Sequence, residues 1–120
     1  MSKPITSYVE LIDVCRKCTS YFIGSLTLEF IMNRKKWENP ETKSQYIECL
    51  HNEFSGWNEK ATLDQTRNRA NCLIRIIESH RVEEALEYVV NGNPLKMDVP
   101  EVREYAQEVL DMIHSGKLKY

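Results

Sequence analysis

Apolar side chains recur at helical spacing along most of the chain, and the alternating pattern of a β-strand is nearly absent. The first stripe begins at Ser7-Tyr-Val-Glu10, in which the serine hydroxyl and the glutamate carboxylate match a capping box. Its apolar members are Tyr8, Leu11, Ile12, Cys15, Cys18, Phe22, Leu26 and Phe30. This periodicity predicts a long first helix that continues to about Arg34.

The second half of this predicted helix is apolar on nearly every face. Residues 21–32, YFIGSLTLEFIM, contain a single charged side chain, Glu29. The run is too short to span a bilayer. A helix that is apolar all round must be covered, either by the other helices or by a second copy of the chain. We therefore expect the protein to form a homo-oligomer built partly on its first helix.

Four more helices follow from start and stop signals. Residues 39–41, Asn-Pro-Glu, begin one helix, and the capping box of residues 62–65, Thr-Leu-Asp-Gln, begins another. The apolar stripe changes face near Ser79, which predicts a break there. Residues 98–101 begin a last helix that Gly116 ends. The sequence thus predicts an all-α, single-domain bundle of about five helices across residues 1–120, with a long, largely buried first helix.

Composition restricts the classes of partner. The chain has 16 basic and 18 acidic residues and a net charge of −2, whereas general nucleic-acid binding needs a basic excess. Glu10 and Asp13 interrupt the stretch where a signal peptide would be apolar. Four cysteines without a secretion signal predict reduced thiols and a cytoplasmic protein. No membrane association is expected, and nucleic acid is a possible partner that the charge does not indicate.

Candidate chemistry is concentrated at the predicted break. Arg75-Ile-Ile-Glu-Ser-His80 places an arginine and a histidine on its two sides. This spacing resembles the Arg-x4-6-His motif of the HEPN family of small helical ribonucleases, and the resemblance covers these two residues. It implies a dimeric, metal-independent enzyme that cleaves RNA, in which His80 moves a proton at the attacking 2′-hydroxyl and Arg75 neutralises the phosphate.

The same two residues also fit a purely structural interpretation, which we favour. The family usually has a polar residue after the arginine, and here that position is Ile76. His80 is then a polar residue in the opening turn of the next helix. On its own helix, Arg75 shares a face with polar neighbours and with charged neighbours of both signs, a pattern typical of a solvated surface. These neighbours are Asp64, Arg67, Asn71 and Glu78.

Two tryptophans and three cations form the predicted binding residues. Arg34, Lys35 and Lys36 come at the end of the first predicted helix, beside Trp37. Cations there complement the negative end of the helix dipole. Alternatively they form a small phosphate-binding or RNA-binding patch with Trp37 as a stacking surface. Trp57 lies in the next connection, and each tryptophan either covers an end of the core, the commoner case, or anchors a protein partner.

Cys15 and Cys18 form a C-x2-C pair, which can begin a zinc site. The two thiols fall one helical turn apart within an apolar stripe, without the tight turn that a zinc knuckle provides. Cys49-Leu-His51 is a poor second half for such a site because its spacing is not a common ligand pattern. We therefore predict packing in the core for both thiols, and no metal or other cofactor for the chain.

Three functions remain open, and we favour the first. It is a non-enzymatic protein–protein interaction protein, such as a regulatory adaptor, inhibitor or assembly subunit, of the kind that serves as an accessory factor of a phage or mobile element. The second is a HEPN-like ribonuclease that uses Arg75 and His80. The third is a helical small-ligand or nucleotide binder with a basic pocket, from Arg34, Lys35 or Arg75, at a subunit interface.

Overall fold

The computed structural model describes residues 4–54, 62–91 and 100–119. Within these ranges the chain forms seven helices and no strand, so the predicted all-α fold is confirmed. The helices are α1 Tyr8–Cys18, α2 Ser20–Met32, α3 Arg34–Glu38, α4 Pro40–Phe54, α5 Leu63–Glu78, α6 Val82–Asn91 and α7 Pro100–His114. Their buried apolar side chains form one cluster.

The predicted long first helix is divided into α1 and α2, so its continuity was predicted wrongly, and the described residues form seven helices where about five were predicted. Thr19 separates α1 from α2, with φ 79° and ψ 144°. Its N–H donates to the Cys15 carbonyl at 2.9 Å, and its hydroxyl accepts from the Phe22 N–H at 3.2 Å. Asn33 separates α2 from α3. The apolar residues keep their helical spacing across Thr19 because α1 and α2 pack against the same core. The spacing alone therefore did not reveal the break.

α2 is the central helix of the bundle, packed against α1, α3, α5, α6 and α7. Phe22, Ile23 and Phe30 on it are completely buried, whereas Met32 at its end is 70% exposed. The cover that residues 21–32 require thus comes in large part from the chain's own helices. Self-association through this segment stays a prediction, but it no longer follows from the apolar character of the segment alone.

Gly24 allows α7 to approach α2 closely. A Cβ atom at this position would lie 2.3 Å from Val102 Cγ1 and 3.3 Å from the Val102 carbonyl oxygen. Both distances are shorter than ordinary van der Waals contact, so a side chain at Gly24 would require α7 to move. The glycine is therefore part of the packing between these two helices.

α1 and α5 lie side by side and run in opposite directions. Glu10 at the start of α1 pairs with Arg75 in the last turn of α5. At the other end of α1, the Cys18 thiol donates to the Arg69 carbonyl at 3.4 Å. This pairing positions the end of α5 and the surface between α1 and α5. Of the helices described, none is long and apolar enough to cross a membrane.

Candidate functional site

The turn Ser79–Arg81 joins α5 to α6, and we call it the α5–α6 junction. It closes α5 with the two hydrogen bonds of a Schellman motif: the Arg81 N–H donates to the Ile76 carbonyl, and the His80 N–H to the Ile77 carbonyl, each at 3.1 Å. His80 has φ 57°, in the left-handed region that this motif requires. The predicted break near Ser79 is confirmed, and the histidine is the residue that makes the turn.

The end of α7 shows the same motif with the usual residue type. Gly116 has φ 80° there, and its N–H donates to the Ile113 carbonyl at 3.1 Å. The Lys117 N–H donates to the Met112 carbonyl at 3.0 Å. Glycine is favoured at this position because it has no Cβ, and histidine is one of the few other residues that adopt the conformation with some frequency. His80 therefore has a backbone role that does not depend on the chemistry of its imidazole ring.

Arg75 is held at the junction by the N-terminal segment. Its guanidinium forms an ion pair and hydrogen bond with the Glu10 carboxylate. The same carboxylate accepts from the Thr6 hydroxyl at 3.4 Å and from the Thr6 N–H at 3.5 Å. The Ser79 hydroxyl accepts from the Ile5 N–H at 2.9 Å. These contacts tie the residues before α1 to the end of α5.

These contacts also determine the charge of the junction. The Thr6 N–H, together with the Arg75 guanidinium, holds the pKa of Glu10 below its ordinary value of 4.5. The carboxylate is therefore ionised at neutral pH and offsets the charge of Arg75. To contact a phosphate, as the HEPN resemblance implies, Arg75 would have to exchange this carboxylate for the substrate. His80 lies exposed in the turn Ser79–Arg81, whereas Arg75 lies in the last turn of α5. A catalytic role for the two residues stays a hypothesis.

The predicted cationic binding residues lie on α3, where two of the three make contacts within the chain. Arg34 Nε lies 2.5 Å from Glu38 Oε1, and its guanidinium carbon lies 5.5 Å from the centre of the Trp37 ring. Lys36 Nζ lies 5.9 Å from the centre of the Tyr46 ring. Lys35 is exposed and makes no ion pair with another described residue. Of the three cations, Lys35 is thus the one most open to a partner.

Of the two tryptophans, Trp37 lies among the described residues. Trp37 is 3% exposed, and its indole N–H donates to the Phe30 carbonyl at 2.7 Å. The ring therefore packs in the core and offers no face for stacking on a ligand. The Arg34 guanidinium packs against the ring. Trp57 lies outside the described residues. A binding role for either tryptophan stays a prediction.

The cysteines of the C-x2-C pair are core residues, as the sequence predicted. Cys15 and Cys18 are completely buried. Burial raises the pKa of Cys15 to about 12 and that of Cys18 well above its ordinary value, so both stay protonated thiols at neutral pH. Cys49 is exposed, and His51 Nδ1 lies 2.7 Å from the Thr66 hydroxyl. Protonated thiols neither bind metal well nor act as nucleophiles.

A groove that the sequence analysis missed lies between the last turn of α1 and the first half of α5. It has a volume of about 550 Å³ and opens to solvent. We call it the α1–α5 groove; it is lined by Lys17, Gln65, Asn68, Arg69, Asn71 and Cys72. The carboxamides on one side of the α5 stripe were a visible signal, but only the contact of α5 with α1 brings Lys17 beside them.

Among the described residues, no group of three or more His, Cys, Asp or Glu side chains could hold a metal ion. The expectation that the chain needs no cofactor stays a prediction. Comparisons of the chain with protein-family models, with curated proteins and with solved structures each find no significant match.

Proposed function

We propose that the protein is a small non-enzymatic interaction protein, an adaptor, inhibitor or assembly subunit that acts by binding another protein. The observation that carries this proposal is the use made of Arg75 and His80 at the α5–α6 junction. Arg75 neutralises Glu10, and His80 supplies the left-handed residue that ends α5. Both residues therefore have structural reasons to be present, which weakens the case for a ribonuclease.

The proposal includes self-association and a cytoplasmic location, where the four free thiols would stay reduced. Tyr8, Val9 and Met32 are the large apolar side chains that are well exposed in the described part of the chain. Tyr8 and Val9 adjoin each other at the start of α1, which is the first part of the long helix on which the sequence predicted the contact between copies. Light scattering at micromolar concentration tests this part of the proposal, and a monomer would refute it without refuting binding to another protein.

The proposed function is tested by capture of partners on the tagged, full-length chain, using wild type and His80→Gly side by side. Glycine keeps the backbone turn and removes the imidazole. We expect one protein at stoichiometric amount in both eluates, confirmed by mixing the two purified proteins. Capture by wild type but not by His80→Gly would mean that the imidazole contributes to the interface.

The alternative is tested with the same pair of proteins on single-stranded RNA. An interaction protein leaves the RNA intact in both cases. If wild type cleaves RNA without metal and His80→Gly, equally folded by circular dichroism, does not, the ribonuclease hypothesis is correct and our proposal is wrong. Glu10→Gln adds a second criterion, because release of Arg75 should increase cleavage if Arg75 binds the phosphate.

A further inference from the structure

We infer that the α1–α5 groove binds an acidic, extended segment of a partner protein. The inference rests on the proposed function, because it names the chemistry of the partner and the surface that receives it. It is carried by the charges, the carboxamides and the shape of the groove.

The charge of the groove is positive. Lys17 and Arg69 both line it, and among the described residues no acidic side chain lines it, although Asp13 lies near enough to act on the Cys72 thiol. Arg69 makes no ion pair with any other described residue. Lys17 Nζ lies 3.2 Å from Asp13 on its own helix, with side chains 68% and 62% exposed. An ion pair as exposed as this one contributes little and is readily replaced by another carboxylate. Both cations are therefore able to receive an anionic group.

The carboxamides of α5 suit a peptide backbone. Asn68 and Asn71 make no hydrogen bond to another described residue through their side chains, and both are exposed. Gln65 uses its carbonyl oxygen to accept from the Thr62 N–H at 3.0 Å, which leaves its NH2 group to donate. A carboxamide both donates and accepts, so it can pair with the C=O and N–H of an extended strand.

The opening of the groove to solvent and its small number of cations favour an acidic peptide over the other ligand classes. Small-molecule sites enclose most of their ligand, whereas this groove of about 550 Å³ opens to solvent. Nucleic acids require several phosphate contacts, and two cations on a chain of net charge −2 do not supply them. An extended peptide gains from every carboxamide along the groove and needs only a few cations to select acidic side chains.

Cys72 provides a reporter inside the groove. Its thiol is half-buried there, while Cys49 on α4 is exposed and does not line the groove. Burial raises the pKa of Cys72, so its reaction with an uncharged alkylating reagent is slow and depends on access. A chain lying in the groove covers Cys72 and leaves Cys49 free to react.

The test measures alkylation of the native, full-length protein by iodoacetamide, with mass spectrometry of Cys72 and Cys49 in the same sample. Poly-L-glutamate serves as the acidic extended chain, inorganic phosphate as a free anion and poly-L-lysine as the chain of opposite charge. We expect poly-L-glutamate to slow the alkylation of Cys72 severalfold relative to Cys49. Phosphate and poly-L-lysine are expected to have no such effect. The inference is overturned by an unprotected Cys72, or by equal protection with phosphate, which would indicate a simple anion site.

Arg69→Gln and Arg67→Gln form a matched pair of variants on the same helix. Arg67 is paired with Asp64 at 3.5 Å and with Glu48 at 3.8 Å, and it does not line the groove. Each variant removes one positive charge from α5. Protection of Cys72 should be lost in Arg69→Gln and retained in Arg67→Gln. Equal loss in both variants would mean that poly-L-glutamate responds to net charge and not to the groove, and would overturn the inference.

Failure of this inference is distinguishable from failure of the proposed function. A protein partner that binds wild type and Arg69→Gln with the same affinity would place its interface elsewhere, so the function would stand and the groove would not be the site. A wild-type protein that captures no protein and cleaves RNA would refute the function itself.

Discussion

His80 and Gly116 occupy the same position in two copies of one helix-ending motif, which makes the backbone cost of His80 measurable. A left-handed conformation costs a residue other than glycine roughly 1–2 kcal/mol, and His80 has φ 57°. We expect His80→Gly to raise the free energy of unfolding by about 0.5–1 kcal/mol, because glycine removes the cost of the left-handed backbone and loses only part of this gain through its greater freedom in the unfolded chain. His80→Val should lower it, because a β-branched side chain is least tolerated there. Urea unfolding monitored by circular dichroism measures both changes.

The reverse substitution at the end of α7 is the control for this prediction. Gly116 has φ 80°, and nothing lies within 4 Å of a Cβ built on it, so Gly116→Ala adds conformational strain without a clash. It should cost about 1 kcal/mol. If His80→Gly destabilised the protein while Gly116→Ala behaved as expected, the imidazole would contribute more to stability than its backbone conformation costs.

Glu10 makes the stability of the protein depend on pH in the acid range. The Thr6 N–H and Arg75 lower its pKa in the folded state, whereas the unfolded chain returns it to about the ordinary value of 4.5. The stabilisation is therefore fully present above that value and is lost as the pH falls through the lower, folded-state pKa. Glu10→Gln should be less stable than wild type at about pH 7, and the difference should shrink at about pH 3.

Urea midpoints at the two pH values test this prediction, with Asp13→Asn as the control. Asp13 is also an acidic residue of α1, but its ion pair with Lys17 is largely exposed and should contribute little. A difference between wild type and Glu10→Gln that persists unchanged at low pH would show that the carboxylate charge is not what stabilises the junction.

The contact between α2 and α7 leaves little space for a side chain at Gly24. A methyl group there would meet Val102 Cγ1 at 2.3 Å. We expect Gly24→Ala to lower the free energy of unfolding by about 1–3 kcal/mol, despite the better helix propensity of alanine, because overpacking costs more than propensity returns. Val102→Ala removes the contacting methyl group, so the double variant should be more stable than the sum of the two single changes predicts. Additive losses would mean that the helices separate at this point instead of clashing.

Local signals predicted most of the helix boundaries, and tertiary contacts explain the exceptions. The capping box of Thr62 and Gln65 forms in full, since it needs only residues close in sequence. The capping box predicted at Ser7 forms one of its two hydrogen bonds. The Ser7 hydroxyl accepts from the Glu10 N–H, but the Glu10 carboxylate contacts Thr6 and Arg75 instead of returning to Ser7. A partner 65 residues away in sequence takes that carboxylate, and no local pattern contains this information.

The candidate sites were harder to predict than the helices because each depends on how helices meet. The spacing of Arg75 and His80 was visible in the sequence, but its structural explanation required both the position of Glu10 and the backbone angle of His80. Trp37 follows three cations, which suggested a binding residue, yet α3 turns its indole into the core. The α1–α5 groove exists only because two antiparallel helices lie side by side. Periodicity identifies the buried face of a helix and not its neighbour.

The four cysteines range in burial from the surface to the centre of the molecule, so their alkylation rates report on how the whole protein unfolds. Cys49 is exposed, Cys72 is half-buried, and Cys15 and Cys18 are completely buried with raised pKa values. In native buffer, iodoacetamide should modify Cys49 first and Cys72 more slowly. Cys15 and Cys18 should react only when the core opens. Their alkylation rates should therefore increase with urea concentration as steeply as global unfolding does. Mass spectrometry of each thiol measures these rates. If Cys18 reacted at a rate independent of urea while Cys15 stayed protected, α1 would open locally at Thr19, and the core would not unfold as one unit.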